Sequence, residues 1–276
     1  MINIVKTSDE IFKEISAVLW VELQKVLHSK TLWITALAFS LITIICGLFM
    51  FILKDPEQAR RLGLLGTKAQ IFGGAADWPS FFTLALVIMS VGSLVIFGFI
   101  FVWIFGREFG DKTIYDLLSL PTSRITIVSA KTVIAACWSL VLILLVFVLM
   151  LLIGAILQLP DWSTAVIFDG LEQMMVTGLL AMILCIPFAL VASITRGYLP
   201  AVGCIFLVLI LSQVFSALGH SQYFPWSVPG LYSGAAEAMT GETPIPIGPV
   251  SYIIVGVVFL ISLVAVDIWW KYADQT

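Results

Sequence analysis

Charge-free apolar runs dominate this chain and set the architecture it predicts. Five stand out, at 31–53, 78–106, 132–160, 173–195 and 197–236, and a sixth covers 249–266. A helix needs about 20 mostly apolar residues to cross the hydrocarbon core of a bilayer. The fifth run, 40 residues long, exceeds one crossing. His220, Pro225, Pro229 and the Tyr-Phe-Pro-Trp aromatics end its helix near Leu218. Asp267 and the interfacial pair Trp269 and Trp270 close the sixth run. The pattern predicts an all-α polytopic membrane protein, one transmembrane domain over 1–276. Its six crossing helices are expected at 31–53, 80–106, 124–159, 171–195, 198–218 and 249–270.

Between the runs, the polar segments differ in character. Ahead of the first run, Thr7 and Glu10 have capping-box spacing. Ile11, Phe12, Ile15, Val18, Leu19, Leu23, Val26 and Leu27 then recur at helical spacing. Glu10, Lys13, Glu14, Gln24, Lys25 and His28 fall mostly on the other face. This predicts an amphipathic helix over 7–29 lying on the membrane surface. The alternative is a plain extension of the first crossing helix. Lys and Arg concentrate in loops on the cytoplasmic side. With the N-terminus inside, ten of the 14 basic residues fall there, leaving Lys54, Arg60, Arg61 and Lys68 in the external loop 54–79. Both termini are therefore expected in the cytoplasm. Segment 219–248 is rich in Pro and aromatics and too apolar for a solvated loop, so short helices or a re-entrant piece at the outer interface are expected there.

Composition narrows the class further. Apolar residues make up 61% of the chain and charged residues 11%, with a mean hydropathy of +1.09. A soluble protein of this length would carry roughly a quarter charged residues. A net charge of −3 by itself says nothing about a nucleic-acid partner, but no basic patch of that kind is present and none is expected; lipid is the expected surrounding. Cys46, Cys137, Cys185 and Cys204 lie in apolar runs without metal-ligand spacing, which points to helix packing and no metal site. The N-terminus is acidic and lacks an early apolar core, unlike a cleavable signal peptide. No phosphate-loop motif, zinc-protease motif or nucleophile elbow occurs, so no catalytic residue is assigned. Charged residues are absent near the predicted midplanes, which argues against an ion-coupled carrier.

The densest polar stretch is FGREFGDKTIYDLLSLPTSRITIVSAK, residues 105–131. Gly110 or Asp111 can cap a short helix over 112–120, with Ile114, Leu117 and Leu118 as its apolar face. Pro121 stops that helix, and Thr122 or Ser123 can cap the next one. A stiff loop helix held between two crossing helices suits docking to another protein. Resting on lipid headgroups is the other reading. Arg124 is within reach of pairing with Glu108 or Asp111.

Within this stretch Glu108, Thr113, Leu117, Leu118, Pro121, Ser123, Arg124 and Lys131 match, in order, a segment that resembles the signature of the ABC type-2 permease family. Asp111 and Lys112 stand where that signature usually has glycine before the Thr. The resemblance extends over the whole chain and implies the membrane subunit of an ABC transporter in the cytoplasmic membrane of a prokaryote. It also implies that two copies of a separate ATPase bind ATP and magnesium, and that this chain holds no cofactor and is no enzyme. The permease would pair as a homodimer or with a related permease. By the same resemblance, 107–123 is the coupling loop, and Glu108, Asp111, Lys112, Thr113, Ile114, Asp116, Leu117, Leu118, Pro121 and Arg124 form the ATPase-coupling interface. The second and fifth crossing helices would line the substrate path with Phe97, Phe99, Phe101, Phe206 and Phe215. The expected function is ATP-driven outward movement of a hydrophobic or amphiphilic compound: an antimicrobial peptide, a drug-like molecule or a lipid. The alternative is a complex used for sensing, or for handing a component to an external partner.

Overall fold

The helices begin where short polar side chains can take up free backbone amides. In a computed structural model, which describes residues 8–55, 75–114, 122–234 and 247–272 and side chains from residue 13 onward, three of them start on a capping side chain. Asp77 accepts from the Ser80 amide, Ser123 from Thr126 and Ser163 from Val166. The described helices are α1 (Ser8–Leu27), α2 (Lys30–Lys54), α3 (Trp78–Gly110), α4 (Arg124–Ile156), α5 (Thr164–Ile183), α6 (Ile186–Thr195), α7 (Leu199–Ala217), α8 (Val228–Tyr232) and α9 (Pro249–Tyr272). Two 3-10 turns, Ser221–Tyr223 and Pro225–Ser227, precede α8. No strand occurs among the described residues.

Six helices are long and apolar enough to cross a membrane: α2, α3, α4, the pair α5–α6, α7 and α9. That matches the number of crossing helices the apolar runs predict. The helix α3 is the hub, packing against α2, α4, α5, α6 and α7. Within its most apolar window 67% of residues are buried, against 17% for α7. Phe81, Phe97, Phe101 and Phe105 of α3 are all buried in the resulting core. Helices in lipid gain little from leaving the solvent, so close backbone approach carries much of their association. Gly154 of α4 shows this: a Cβ there would stand 2.3 Å from Trp78 Cη2.

The fourth span is broken. Leu184 and Cys185 separate α5 from α6, and Pro187 in the first turn of α6 has no N–H to continue the ladder. The segment after α7 folds back against the spans: Ser221, Ser227, Val228 and Leu231 are buried, and Ser212 and Ser227 hydroxyls meet at 2.9 Å. Ser251 at the start of α9 donates to the Gln222 carbonyl at 3.0 Å. Of the segment 219–248, the described residues 221–232 form the two 3-10 turns and α8, while 235–246 lie outside the described residues.

Helix α1 packs on the first turns of α4 and on α2. It is bonded to the segment 105–131, and the end of the bundle where they meet is here termed the loop end. The opposite end carries Lys54, Trp78 and Pro160.

Candidate functional site

A carboxylate or ammonium taken out of water is stable only when paired and hydrogen-bonded. At the loop end three such groups have left water together, with a fourth half-buried beside them. Glu22 and Lys25 come from α1, Glu108 from the last turn of α3, and Lys131 from the second turn of α4. Glu22, Glu108 and Lys131 are at most 3% exposed. The Lys131 ammonium donates to Glu108 Oε1 at 2.5 Å, to Glu22 Oε2 at 3.2 Å and to the Ile104 carbonyl at 3.1 Å. Lys25 donates to Glu22 Oε1 at 2.5 Å and reaches Glu108 Oε1 at 3.4 Å. Two acids and two bases cancel, so the cluster is neutral.

Local sequence explains how these side chains converge. Val18, Glu22 and Val26 lie four residues apart on α1, so the helix that buries Val26 also buries Glu22. Lys131 follows Ile127 and Val128 on the buried face of α4. Glu108 is carried inward because α3 runs on to Gly110, four residues beyond the apolar run. Burial pushes the Glu22 carboxyl up, but the neighbouring Lys131 and Lys25 charges outweigh it and hold its pKa below the usual carboxylate value. Glu108 Oε2 has no hydrogen-bond partner among the described residues.

A second layer of contacts joins α1 to both ends of the loop. Arg107 donates to the Lys25 carbonyl at 3.1 Å, pairs with Asp111 at 3.4 Å and lies 5.3 Å from the Trp103 ring centroid. The Ser123 amide donates to Glu14 Oε1 at 3.3 Å. Tyr198, in the turn between α6 and α7, lays its ring on Gly106 and Gly110 of α3, about 3.0 Å from where a Cβ would stand at either. Burial, then the charges of Asp111 and Glu108, raise the pKa of its hydroxyl.

The expected interface residues divide accordingly. Glu108 is central to the cluster. Asp111 caps the end of α3, Lys112 follows in a left-handed conformation (φ 59°), and the Thr113 amide returns to the Glu108 carbonyl at 3.0 Å. Ile114 is buried. Asp116, Leu117, Leu118 and Pro121 lie outside the described residues. Arg124 does not make the pairing with Glu108 or Asp111 that sequence proximity suggests. It donates to the Trp270 carbonyl at 3.2 Å and the Lys271 carbonyl at 3.5 Å, where a cation meets the negative end of α9. Lys131, seven residues further along α4, occupies the place beside Glu108.

Lys25 is a second departure from the sequence reading, which placed it on the solvent face of α1. It is turned into the cluster instead, with 27% of its side chain exposed. The outward part of α1 carries apolar residues, with Trp20 at 60% and Leu27 at 53% exposure. Glu22 had a legible signal, a carboxylate in the middle of an apolar stripe. Lys131 sits on the apolar face of its own helix in the same way.

The five phenylalanines expected along a path do not share one location. Phe99 and Phe206 line a cleft of about 270 Å³ between α2, α3 and α7, with Ile34, Val95, Val202 and Ile205 among its other walls. Phe97 and Phe101 are buried in the core, Phe97 against Phe39 at 5.7 Å. Phe215 stacks on Phe224 at 4.8 Å with the rings 4° from parallel.

The cluster bonds its four side chains to one another. It binds three chain segments at one point: α1, the end of α3 and the start of α4. Comparison with known proteins agrees with a transport role for such a scaffold. Residues 18–213 match the family model described as ABC-2 family transporter protein. The bacitracin transport permease protein BCRB of Bacillus licheniformis is 29% identical over 190 residues, which is 68% of this chain and 88% of that one.

Proposed function

The chain belongs to the ABC-2 family of transporter proteins, and we propose that it exports a hydrophobic or amphiphilic compound at the expense of ATP hydrolysed by a separate subunit. It is a multi-pass membrane protein and the membrane subunit of an ABC transporter, a family whose permeases work with an ATPase partner. Direction, cargo and assembly are the proposed part. Two ATPase copies would bind a pair of permeases in the cytoplasmic membrane, at the loop end, with both termini in the cytoplasm and α1 resting its exposed Trp20 and Leu27 on lipid.

The observation that carries this reading is the neutral cluster of Glu22, Lys25, Glu108 and Lys131. Residues 107–123 would be the coupling loop, and a loop that receives a push must be rooted stiffly to pass it on. Both its ends are rooted here. The end of α3 is held by Lys131 and Lys25 through Glu108, and the start of α4 by Glu14 through the Ser123 amide. Buried ion pairs contribute little net stability but fix geometry, because breaking one costs about 3–5 kcal/mol. The same push would reach α1 and α3, and through α3 the whole bundle.

Peptide antibiotics are the favoured cargo class, since the similar permease is named for bacitracin transport. The apolar cleft at Phe99 and Phe206 supports an amphiphilic compound entering from the bilayer. The test is to purify the chain with its ATPase and compare it with the variant carrying Leu117→Asp and Leu118→Asp. The reading predicts that the ATPase no longer co-purifies and that bacitracin no longer stimulates hydrolysis. An ATPase that still binds, with unchanged turnover, would remove the coupling role from this loop.

A further inference from the structure

A helix broken inside a membrane exposes carbonyls that lipid cannot satisfy, so a specific donor is needed there. In the fourth span Pro187 leaves the Ile183 carbonyl without its ladder partner, and the Phe188 amide bonds to Cys185 at 3.1 Å. The Leu184 carbonyl, which a regular helix would give to Phe188, is thereby freed. Leu184 and Cys185 are fully buried, so water does not reach it. The Trp226 indole fills the role, donating Nε1–H to the Leu184 oxygen at 2.9 Å. Its ring packs 6.2 Å from Phe188 and 5.5 Å from Phe224. The donor lies 42 residues away, on the segment that folds back after α7.

The other end of the same half-helix is also held by an indole. Trp270 Nε1 donates to Ser193 Oγ of α6 at 3.0 Å, with both residues fully buried. Trp270 in turn offers its carbonyl to Arg124, the first residue of α4. Thus α6 runs as a strut from the loop end to the break, and Trp226 joins the far end of that strut to 221–232.

We propose that Trp226 is a positioning residue of the transport cycle, latching segment 221–232 to the break in the fourth span so that the segment and α6 shift as one body. The latch gives the segment 221–232 a mechanical connection to the loop end. It rests on the permease reading only for its use in transport; the linkage itself is testable without ATP or cargo.

Cys185 is a native reporter, buried directly at the break. In a chain whose Cys46, Cys137 and Cys204 are replaced by Ala, its labelling by N-ethylmaleimide is timed by mass spectrometry in detergent. Trp226→Phe keeps an aromatic ring and removes the donor, and it is expected to speed Cys185 labelling roughly tenfold, as for loss of one buried hydrogen bond. Pro187→Ala restores an amide at 187 and lets Phe188 return to Leu184. In that background Trp226→Phe is expected to change the rate less than about twofold, because the carbonyl no longer needs the indole. Ser227→Ala, which loosens the same segment without touching the latch, should also stay within about twofold.

Unchanged labelling in W226F, or an equal acceleration with and without Pro187, overturns the proposal. Should W226F not be recovered folded, hydrogen exchange of the unaltered chain decides. One shared opening rate for the amides of 185–188 and 222–232 supports the latch, and separate rates refute it. Failure of either test leaves the export reading standing, since neither measures transport.

Discussion

Replacing Lys131 by Met removes a charge from the centre of the cluster while keeping much of the side chain's length. The wild-type ammonium satisfies Glu108, Glu22 and the Ile104 carbonyl at once, at 2.5, 3.2 and 3.1 Å. Its loss leaves two buried carboxylates facing one ammonium, Lys25. Removing one partner of a buried pair typically costs about 3–5 kcal/mol. Lys25, 27% exposed, can draw closer to Glu108 and recover some of that, so about 3 kcal/mol is expected for Lys131→Met. Adding Glu108→Gln restores neutrality, because Glu22 and Lys25 remain paired at 2.5 Å. The double variant should therefore be destabilised by less than the sum of the singles, with a coupling of about 1–3 kcal/mol. Tryptophan fluorescence during denaturant titration in detergent measures all four proteins of the cycle. A Lys131→Met cost below about 1 kcal/mol, or strict additivity, would refute the view that these charges hold each other in place.

Four further outcomes follow from the same geometry. Gly154→Ala puts a Cβ 2.3 Å from the fully buried Trp78 ring, and it should cost about 1–3 kcal/mol in the same titration. Burial raises the Glu22 pKa but its lysine neighbours lower it further, so its folded value lies below that of an ordinary carboxylate. The stability it contributes is present above its unfolded pKa and lost as pH falls through the folded one; limited proteolysis should show α1 released only at pH below the ordinary carboxylate range. Arg124→Gln should fray the end of α9 by roughly 0.5–1 kcal/mol, seen as faster hydrogen exchange of the backbone amides of Ile268–Tyr272 and little change elsewhere. Glu108→Ala should leave the ATPase bound while cargo-stimulated hydrolysis falls; normal stimulation would exclude Glu108 from coupling.

The spans were legible because hydrocarbon tolerates few charges, which leaves long uninterrupted runs in the sequence. The break at Leu184 and Cys185 was not read, although Pro187 marks it, because the run around it is apolar on both sides and hydropathy is blind to hydrogen bonds. At the loop end, helix caps such as Ser123 were readable from local chemistry. Partner choice was not. Arg124 is closer in sequence to Asp111 than Lys131 is, yet the two lie on nearly one face of α4 about two turns apart, and at their different heights Arg124 meets the end of α9 and Lys131 meets Glu108 of α3. Which lysine meets Glu108 is settled by helix packing at a distance of 109 residues from Glu22, and no local spacing encodes it. Lys25 was misplaced for a related reason: amphipathic periodicity assigns charges to solvent, whereas here a second helix supplies their partners.

The role proposed for the cluster is to pass the ATPase stroke from the loop to the spans. The variant combining Lys131→Met and Glu108→Gln isolates this, since it restores neutrality while removing the bond between α3 and α4. It would be reconstituted in vesicles with its ATPase, and ATP hydrolysis and transport of the proposed cargo, with bacitracin as the probe, measured side by side. Hydrolysis should persist while cargo moved per ATP falls about tenfold or more, equivalent to at least ~1.4 kcal/mol of lost coupling. Transport per ATP equal to that of the unaltered protein would contradict it.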